Sequence, residues 1–257
     1  MGKLFLIGGK AKKCVAHFAA LAGGSEANVL VVPHASSVHV TVAAEMTAEL
    51  VGYGVKSVTC ALPGEPLVIA PSVNAVYICG GDQAELVRLL GEDGAEKLRR
   101  FHAAGGLIAG TSAGAAAAGV DIITAGMPSD SQLRFGELEM GKGLALCRNV
   151  IFDTHFLQRA RFNRLIAAVA QFPRALGIGL DEDTALLIET VSGVGKKKAS
   201  VTMTAYGVGH AWFYRAGRGL KTSLKKNVAD NEPGALYSVS GVTVSVLSAG
   251  ETYGATG

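Results

Sequence analysis

The feature that most restricts the fold is a recurring pair: a short run of Val, Ile and Leu, then a segment with helical spacing. Lys3–Ile7 is followed by a helical stretch around Cys14–Leu21, and Asn28–Val32 by one from about Val40 to Gly52. Val55–Thr59 reads as a third strand. Ala75–Cys79 leads into helices over Ala84–Leu90 and Ala95–Ala103, and Leu107–Ala109 into the alanine-rich helix after Ser112. The runs are nearly continuous in apolar residues rather than alternating, as strands covered on both faces should be. Strand–helix repetition of this kind predicts an α/β protein with a doubly wound, mostly parallel sheet. With 49% of residues hydrophobic and 18% charged, the chain can bury a substantial core.

After Ile151 the pattern changes. Phe156, Leu157, Ala160, Leu165, Val169 and Phe172 fall at helical spacing and predict one amphipathic helix over Phe156–Phe172. Strand-like runs follow at Ala175–Leu180, Ala185–Ile188, Val201–Tyr206, Ala211–Tyr214 and Tyr237–Leu247. There is no internal repeat, low-complexity linker or second run of core residues, so one domain is expected over 1–257.

Several function classes lose ground on composition. A net charge of +3 is too mild to argue for nucleic acid. The short basic runs Lys196–Lys198 and Lys225–Lys226 read as solvated loops. The 34 glycines have no collagen period. Cys14, Cys60, Cys79 and Cys147 are widely spaced in apolar surroundings, which reads as buried reduced thiols rather than a metal site. The opening MGKLFLIGGKAKK has too short an apolar run for a signal peptide, and no segment is long and apolar enough to span a membrane. The expectation is a cytoplasmic protein with no metal or cofactor.

In doubly wound sheets chemistry gathers at the carboxyl ends of the strands. Gly80-Gly81-Asp82-Gln83 lies at such an end, and so does Gly110-Thr111-Ser112-Ala113-Gly114. The latter has the G-x-S-x-G spacing of a nucleophile elbow, with an apolar strand before it and an alanine-rich helix after it. A serine needs a base, and the base needs an orienting group. Of six histidines, His155 follows the apolar run NVIFDT and so also belongs at a strand end. The acid would come from Asp181-Glu182-Asp183, and spacing does not choose among the three. The order Ser…His…acid differs from the Ser…Asp/Glu…His order of the α/β-hydrolases.

Four motifs in order, GGDQ (80–83), GTSAGA (110–115), DTHFLQRARFNRL (153–165) and GIGLDEDTAL (177–186), resemble those of the cyanophycinases. These are serine peptidases of a family that also includes aspartyl dipeptidases. The resemblance runs from LFLIGG near the start to VTVSVLSAGETY at 242–253. It implies a flavodoxin-like three-layer fold, usually dimeric, related to the class I glutamine amidotransferases, which have Cys in place of the serine. It further implies Ser112 as nucleophile, His155 as base and Glu182 as its orienting acid. The Ala113 N–H, with one from Gly81 or Asp82, would form the oxyanion hole. Gln83, Asp153, Arg159, Arg161 and Arg164 would line the substrate pocket, with Asp153 available to a substrate guanidinium. One of the three arginines is expected to be merely surface, since their spacing makes no clean stripe.

The implied substrate is cyanophycin, a poly-aspartate backbone with arginine on each side-chain carboxyl, cut to β-Asp-Arg dipeptides. Where that family usually reads Asp-Gln-His-Phe, this chain has Thr154, which lacks an amide that could touch substrate. Residues 126–140 would form a rim over the site. Two other readings compete: a dipeptidase for short aspartyl or isoaspartyl peptides, and a non-catalytic binding protein on the same fold.

Overall fold

A computed structural model describes residues 2–127, 131–191, 200–225 and 227–255 of the chain. The first half contains β1 (Lys3–Ile7), α1 (Lys12–Ala22), β2 (Asn28–Val32), α2 (His39–Gly52), β3 (Ser57–Cys60), β4 (Ala75–Ile78), α3 (Gln83–Ala103), β5 (Leu107–Thr111) and α4 (Ala113–Ala116). Then come β6 (Asp121–Gly126), β7 (Leu138–Lys142), β8 (Val150–Thr154), α5 (Phe162–Gln171), β9 (Leu176–Leu180) and β10 (Thr184–Val191). The last strands are β11 (Ser200–Gly207), β12 (Ala211–Thr222), β13 (Val239–Leu247) and β14 (Thr252–Ala255).

Eight strands form a central sheet in the order β14-β11-β10-β1-β5-β4-β2-β3. The β1, β5, β4, β2, β3 part is parallel. β10, β11 and β14 extend it with antiparallel pairs. A second, four-stranded sheet runs β13-β12-β9-β8, with β8 and β9 parallel. β6 and β7 form a separate antiparallel pair.

Alternation along β1 explains the layering. Phe5 and Ile7 face one side, packed with Val15 and Phe18 of α1 and Leu50 of α2. Leu4 and Leu6 face the other, sharing a core with Leu86 and Leu98 of α3 and with Phe152, Ile178 and Phe213 of the second sheet. The far side of that sheet is covered by α5, where Leu165 and Val169 pack with Ile151 and Tyr214. The result is the mixed α/β fold, with helices on both faces of a large sheet, that the strand–helix alternation predicts.

Several elements differ in extent. Phe156–Phe172 is helical only over Phe162–Gln171. His155 and Ala160 both have positive φ, 50° and 46°, so the chain turns twice before the helix starts. Of the apolar residues in that turn only Phe156 joins the core: it is fully buried, and its ring lies where a Cβ on Gly179 would come within 2.4 Å, whereas Leu157 and Ala160 are exposed. The alanine helix is four residues long. Residues 126–140 contribute the end of β6 and the start of β7, and residues 128–130 lie outside the described residues. Lys196–Lys198 and Lys226 also lie outside them, while Lys225 is exposed. The thiols are free, but only Cys14 and Cys79 are buried; Cys147 is half-buried and Cys60 exposed. Among the described residues no helix is long and apolar enough to cross a membrane, and no cluster of three His, Cys, Asp or Glu could hold a metal.

Candidate active site

Ser112 sits between β5 and α4 with φ 50° and ψ −111°, a backbone conformation that costs a non-glycine residue about 1–3 kcal/mol. Its N–H donates to the Ile7 carbonyl at 2.9 Å, and its own carbonyl accepts the N–H groups of Ala115 and Ala116. The flanking glycines make so sharp a turn possible. A Cβ on Gly110 would lie 2.5 Å from the Gly114 carbonyl carbon, and one on Gly114 would lie 2.5 Å from the Ile78 oxygen.

His155 follows β8 and also has φ 50°. Its N–H donates to the Gly8 carbonyl at 2.7 Å. Its ring rests on Gly9, where any Cβ would come within 2.2 Å of Cε1. That contact and its φ of 117° make Gly9 a seat for the imidazole.

The three acids between β9 and β10 have three different partners. Asp181 is fully buried and accepts from the N–H groups of Leu157 and His210 and from Trp212 Nε1. Asp183 Oδ1 accepts the N–H groups of Lys13 and Cys14 at the start of α1. Only Glu182 reaches the histidine. Its Oε1 lies 2.8 Å from His155 Nδ1, and His155 Nε2 lies 2.8 Å from Ser112 Oγ. Lys10 Nζ is 2.9 Å from the other carboxylate oxygen, and the Glu182 N–H donates to Gln158 Oε1 at 3.0 Å.

The chemistry of the partners fixes the proton. An ionised carboxylate only accepts, so His155 Nδ1 carries the hydrogen and Nε2 offers its lone pair to the serine hydroxyl. Burial lowers the His155 pKa, with Arg159 and Arg161 adding to the effect and Glu182 opposing it. Burial works against ionisation of Glu182, but hydrogen bonds from His155 and Lys10 hold its carboxyl below the ordinary value. A neutral imidazole against an ionised acid can take a proton from Ser112 near neutral pH.

Gly80 brings the end of β4 against the serine: a Cβ there would be 3.2 Å from Ser112 Cβ. The N–H groups of Gly81 and Ala113 make no hydrogen bond among the described residues. Asp82 is different. Its N–H donates to Ala35 O at 2.8 Å, and its Oδ1 caps α3 through Ala84 and Glu85. An oxyanion donor at Asp82 is therefore excluded, because its N–H is already engaged.

The expected substrate pocket is also reassigned. Asp153 is 1% exposed and clamped by Arg164 through Nε at 2.8 Å and Nη2 at 2.6 Å, and by Arg161 Nη1 at 2.8 Å. Its carboxylate already has two guanidiniums, so it does not await a substrate's. Thr154 is buried, with its carbonyl bound by Arg161. Gln83 Nε2 donates to Ile123 O and Thr124 O, tying α3 to β6. Arg159 is exposed and has no carboxylate partner among the described residues, although it acts electrostatically on His155. Arg159 is thus the surface arginine of the three. Gly9, Lys10 and Gln158 escaped the sequence reading. Gly9 and Gln158 lie inside the stretches LFLIGG and DTHFLQRARFNRL and Lys10 just after the first, but residue type and spacing assign none of the three a role.

The family model described as Peptidase family S51 matches residues 4–193. A cyanophycinase of Geminocystis herdmanii is 32% identical over 205 residues, covering 74% of this chain and 74% of that protein. A cyanophycinase of Trichormus variabilis is 42% identical over 118 residues, but the match covers 45% of this chain and only 39% of that relative's length. Among solved structures, a peptidase from an acI-B1 Actinobacterium superposes with a TM-score of 0.61 at 18% identity, covering 98% of this chain and 96% of that one. That last likeness concerns the fold.

Proposed function

Because this chain belongs to peptidase family S51, we propose that it is a serine-type peptidase that hydrolyses cyanophycin to β-Asp-Arg dipeptides, with Ser112 as nucleophile, His155 as base and Glu182 as its orienting acid. The observation that carries the reading is the unbroken chain Ser112 Oγ–His155 Nε2 and His155 Nδ1–Glu182 Oε1, each link 2.8 Å, on a serine held at φ 50°.

In this reading Ser112 Oγ attacks the backbone carbonyl and its proton passes to His155 Nε2. The imidazolium so formed is stabilised by Glu182 through the Nδ1–H bond. The tetrahedral oxygen takes hydrogen bonds from the Gly81 and Ala113 N–H groups, worth about 3 kcal/mol for one donor. Collapse returns the proton to the leaving amine and leaves an acyl-enzyme. Water, deprotonated by His155, then releases the acid. A β-aspartyl substrate carries free carboxylates near the scissile bond, and Arg159 is placed to bind one. Arg161 and Arg164 act through Asp153 by fixing β8 and hence His155. A homodimer in the cytoplasm is part of the same proposal.

The test is clearing of an insoluble cyanophycin suspension, with mass spectrometry of the soluble products. Wild type should clear it and release β-Asp-Arg, and Ser112→Ala should not. A folded wild type that leaves the suspension intact, yet cleaves short isoaspartyl peptides, would replace the polymer hydrolase with a dipeptidase.

A further inference from the structure

A cavity of about 860 Å³ lies at the other end of the sheets from Ser112. Gly2 and Leu4 of the β1 region, Val150 at the start of β8 and Leu176 at the start of β9 line it. Ser112 bonds to Ile7 at the opposite end of β1, roughly 16 Å of strand from Gly2 at about 3.3 Å per residue. The cavity forms where the two sheets part, and its volume suits a small organic ligand.

Its lining is apolar on the inside and cationic at the mouth. Leu146, Ile188 and Met203 contribute to the inner wall, and Arg148, Arg174 and Arg215 to the rim. No described lining residue is acidic. Asp121, in the groove adjoining Arg148 and Arg174, is already paired with Lys142 at 2.6 Å.

Six of the eight arginines outside this cavity are neutralised by carboxylates. Arg88, Arg99, Arg100, Arg134, Arg161 and Arg164 all have carboxylate partners. Among the described residues, Arg148, Arg159, Arg174, Arg215 and Arg218 have none, and three of these five meet at this one cavity. Arg215 is braced by neutral groups, its Nε donating to Tyr253 Oη at 3.2 Å and its guanidinium lying over that ring. Its direction is fixed while its charge stays uncompensated.

Two further observations fall at the same place. Ala145 and Asn149 have φ of 55° and 56°, so the segment carrying Arg148 is held in a conformation most residues avoid. His102, in the wall, has a buried Nε2 with no hydrogen-bond partner among the described residues.

We propose that this cavity binds a small organic molecule with an apolar body and two anionic groups, carboxylate or phosphate, at a site separate from Ser112. The apolar body enters between the sheets, and the anions meet Arg148 and Arg174 at the mouth. The proposal does not depend on which peptide the serine site cleaves.

The probe is bis-anilinonaphthalene disulfonate, an apolar dianion that fluoresces when it leaves water, titrated into the full chain. Saturable binding at one site is expected, weakened at least tenfold by Arg148→Ala with Arg174→Ala and by raised salt, and unchanged by Arg159→Ala. Arg148 and Arg174 are both exposed, so the double variant should fold, and Arg174→Gln alone should give an intermediate loss. Displacement by phthalate or by hydroquinone bisphosphate would then tell a dicarboxylate ligand from a bisphosphate one. Absence of saturable binding, equal binding by the double variant, or loss through Arg159→Ala instead would overturn the proposal.

Discussion

Single residues around Glu182 set the charge balance of the serine site. Lys10 bonds the carboxylate oxygen that His155 does not use. Replacing it by Met leaves the carboxylate uncompensated, which raises the His155 pKa and moves the acid limb of kcat/KM to higher pH. Lys10 is 77% exposed, so the displacement should be only a few tenths of a pH unit and should shrink with salt. Lys10→Arg should restore the limb. A profile for Lys10→Met that overlays wild type would reduce this ion pair to an ordinary surface contact. In wild type, burial keeps His155 below its ordinary value of 6.5, so the acid limb should lie below pH 6.5. Gly9 is the steric counterpart. Gly9→Ala puts a methyl into the imidazole, and since misplacement by about 1 Å can cost ~10²-fold, kcat should fall by at least that much while circular dichroism stays near wild type.

Elements are positioned by contacts that the residue pattern shows only in part. β1, β2 and β5 announce themselves because strands covered on both faces are apolar throughout. β6 and β7 do not, because they form a separate pair outside both large sheets. The segment 156–161 looks helical because Phe156 and Leu157 keep the period, yet the positive φ of His155 and Ala160 breaks it. Nothing in a side-chain pattern records a backbone angle. Likewise GTSAG and His155 stand out by type and context, while the choice of Glu182 over its neighbours needs the partners that occupy Asp181 and Asp183. The clamp of Arg164 and Arg161 on Asp153 joins α5 and the turn before it to β8. Breaking one side of a buried ion pair leaves a charge uncompensated, at about 3–5 kcal/mol. Arg164→Met should therefore lower the stability measured in urea by that order and loosen His155. Asp153→Asn, which also spoils the bidentate geometry, should behave similarly. A loss under 1 kcal/mol for both would mean the clamp is dispensable.

Over the whole molecule, one buried histidine should dominate the response to mild acid. His34 is 2% exposed, and burial, with a smaller effect from His39, lowers its pKa from 6.5 to about 4. The folded state thus holds it neutral where the unfolded chain would protonate it. Its contribution is intact above pH 6.5 and is lost progressively as pH falls toward 4, by about 3 kcal/mol in all. Unfolding free energies across that window should fall steeply for wild type and less steeply for His34→Gln. Parallel slopes would assign the acid sensitivity to other groups.

The carbonyls of Ile7, Gly8 and Gly9 take the N–H groups of Ser112, His155 and Asp183 in turn. Three distant parts of the chain therefore hang from one tripeptide at the end of a strand flanked on one side by β5 and on the other by β10. That strand is made early and must wait for partners that leave the ribosome much later. On dilution from denaturant, helical signal should return first and turnover last, because the reaction centre cannot exist before the latest of its three attachments has closed.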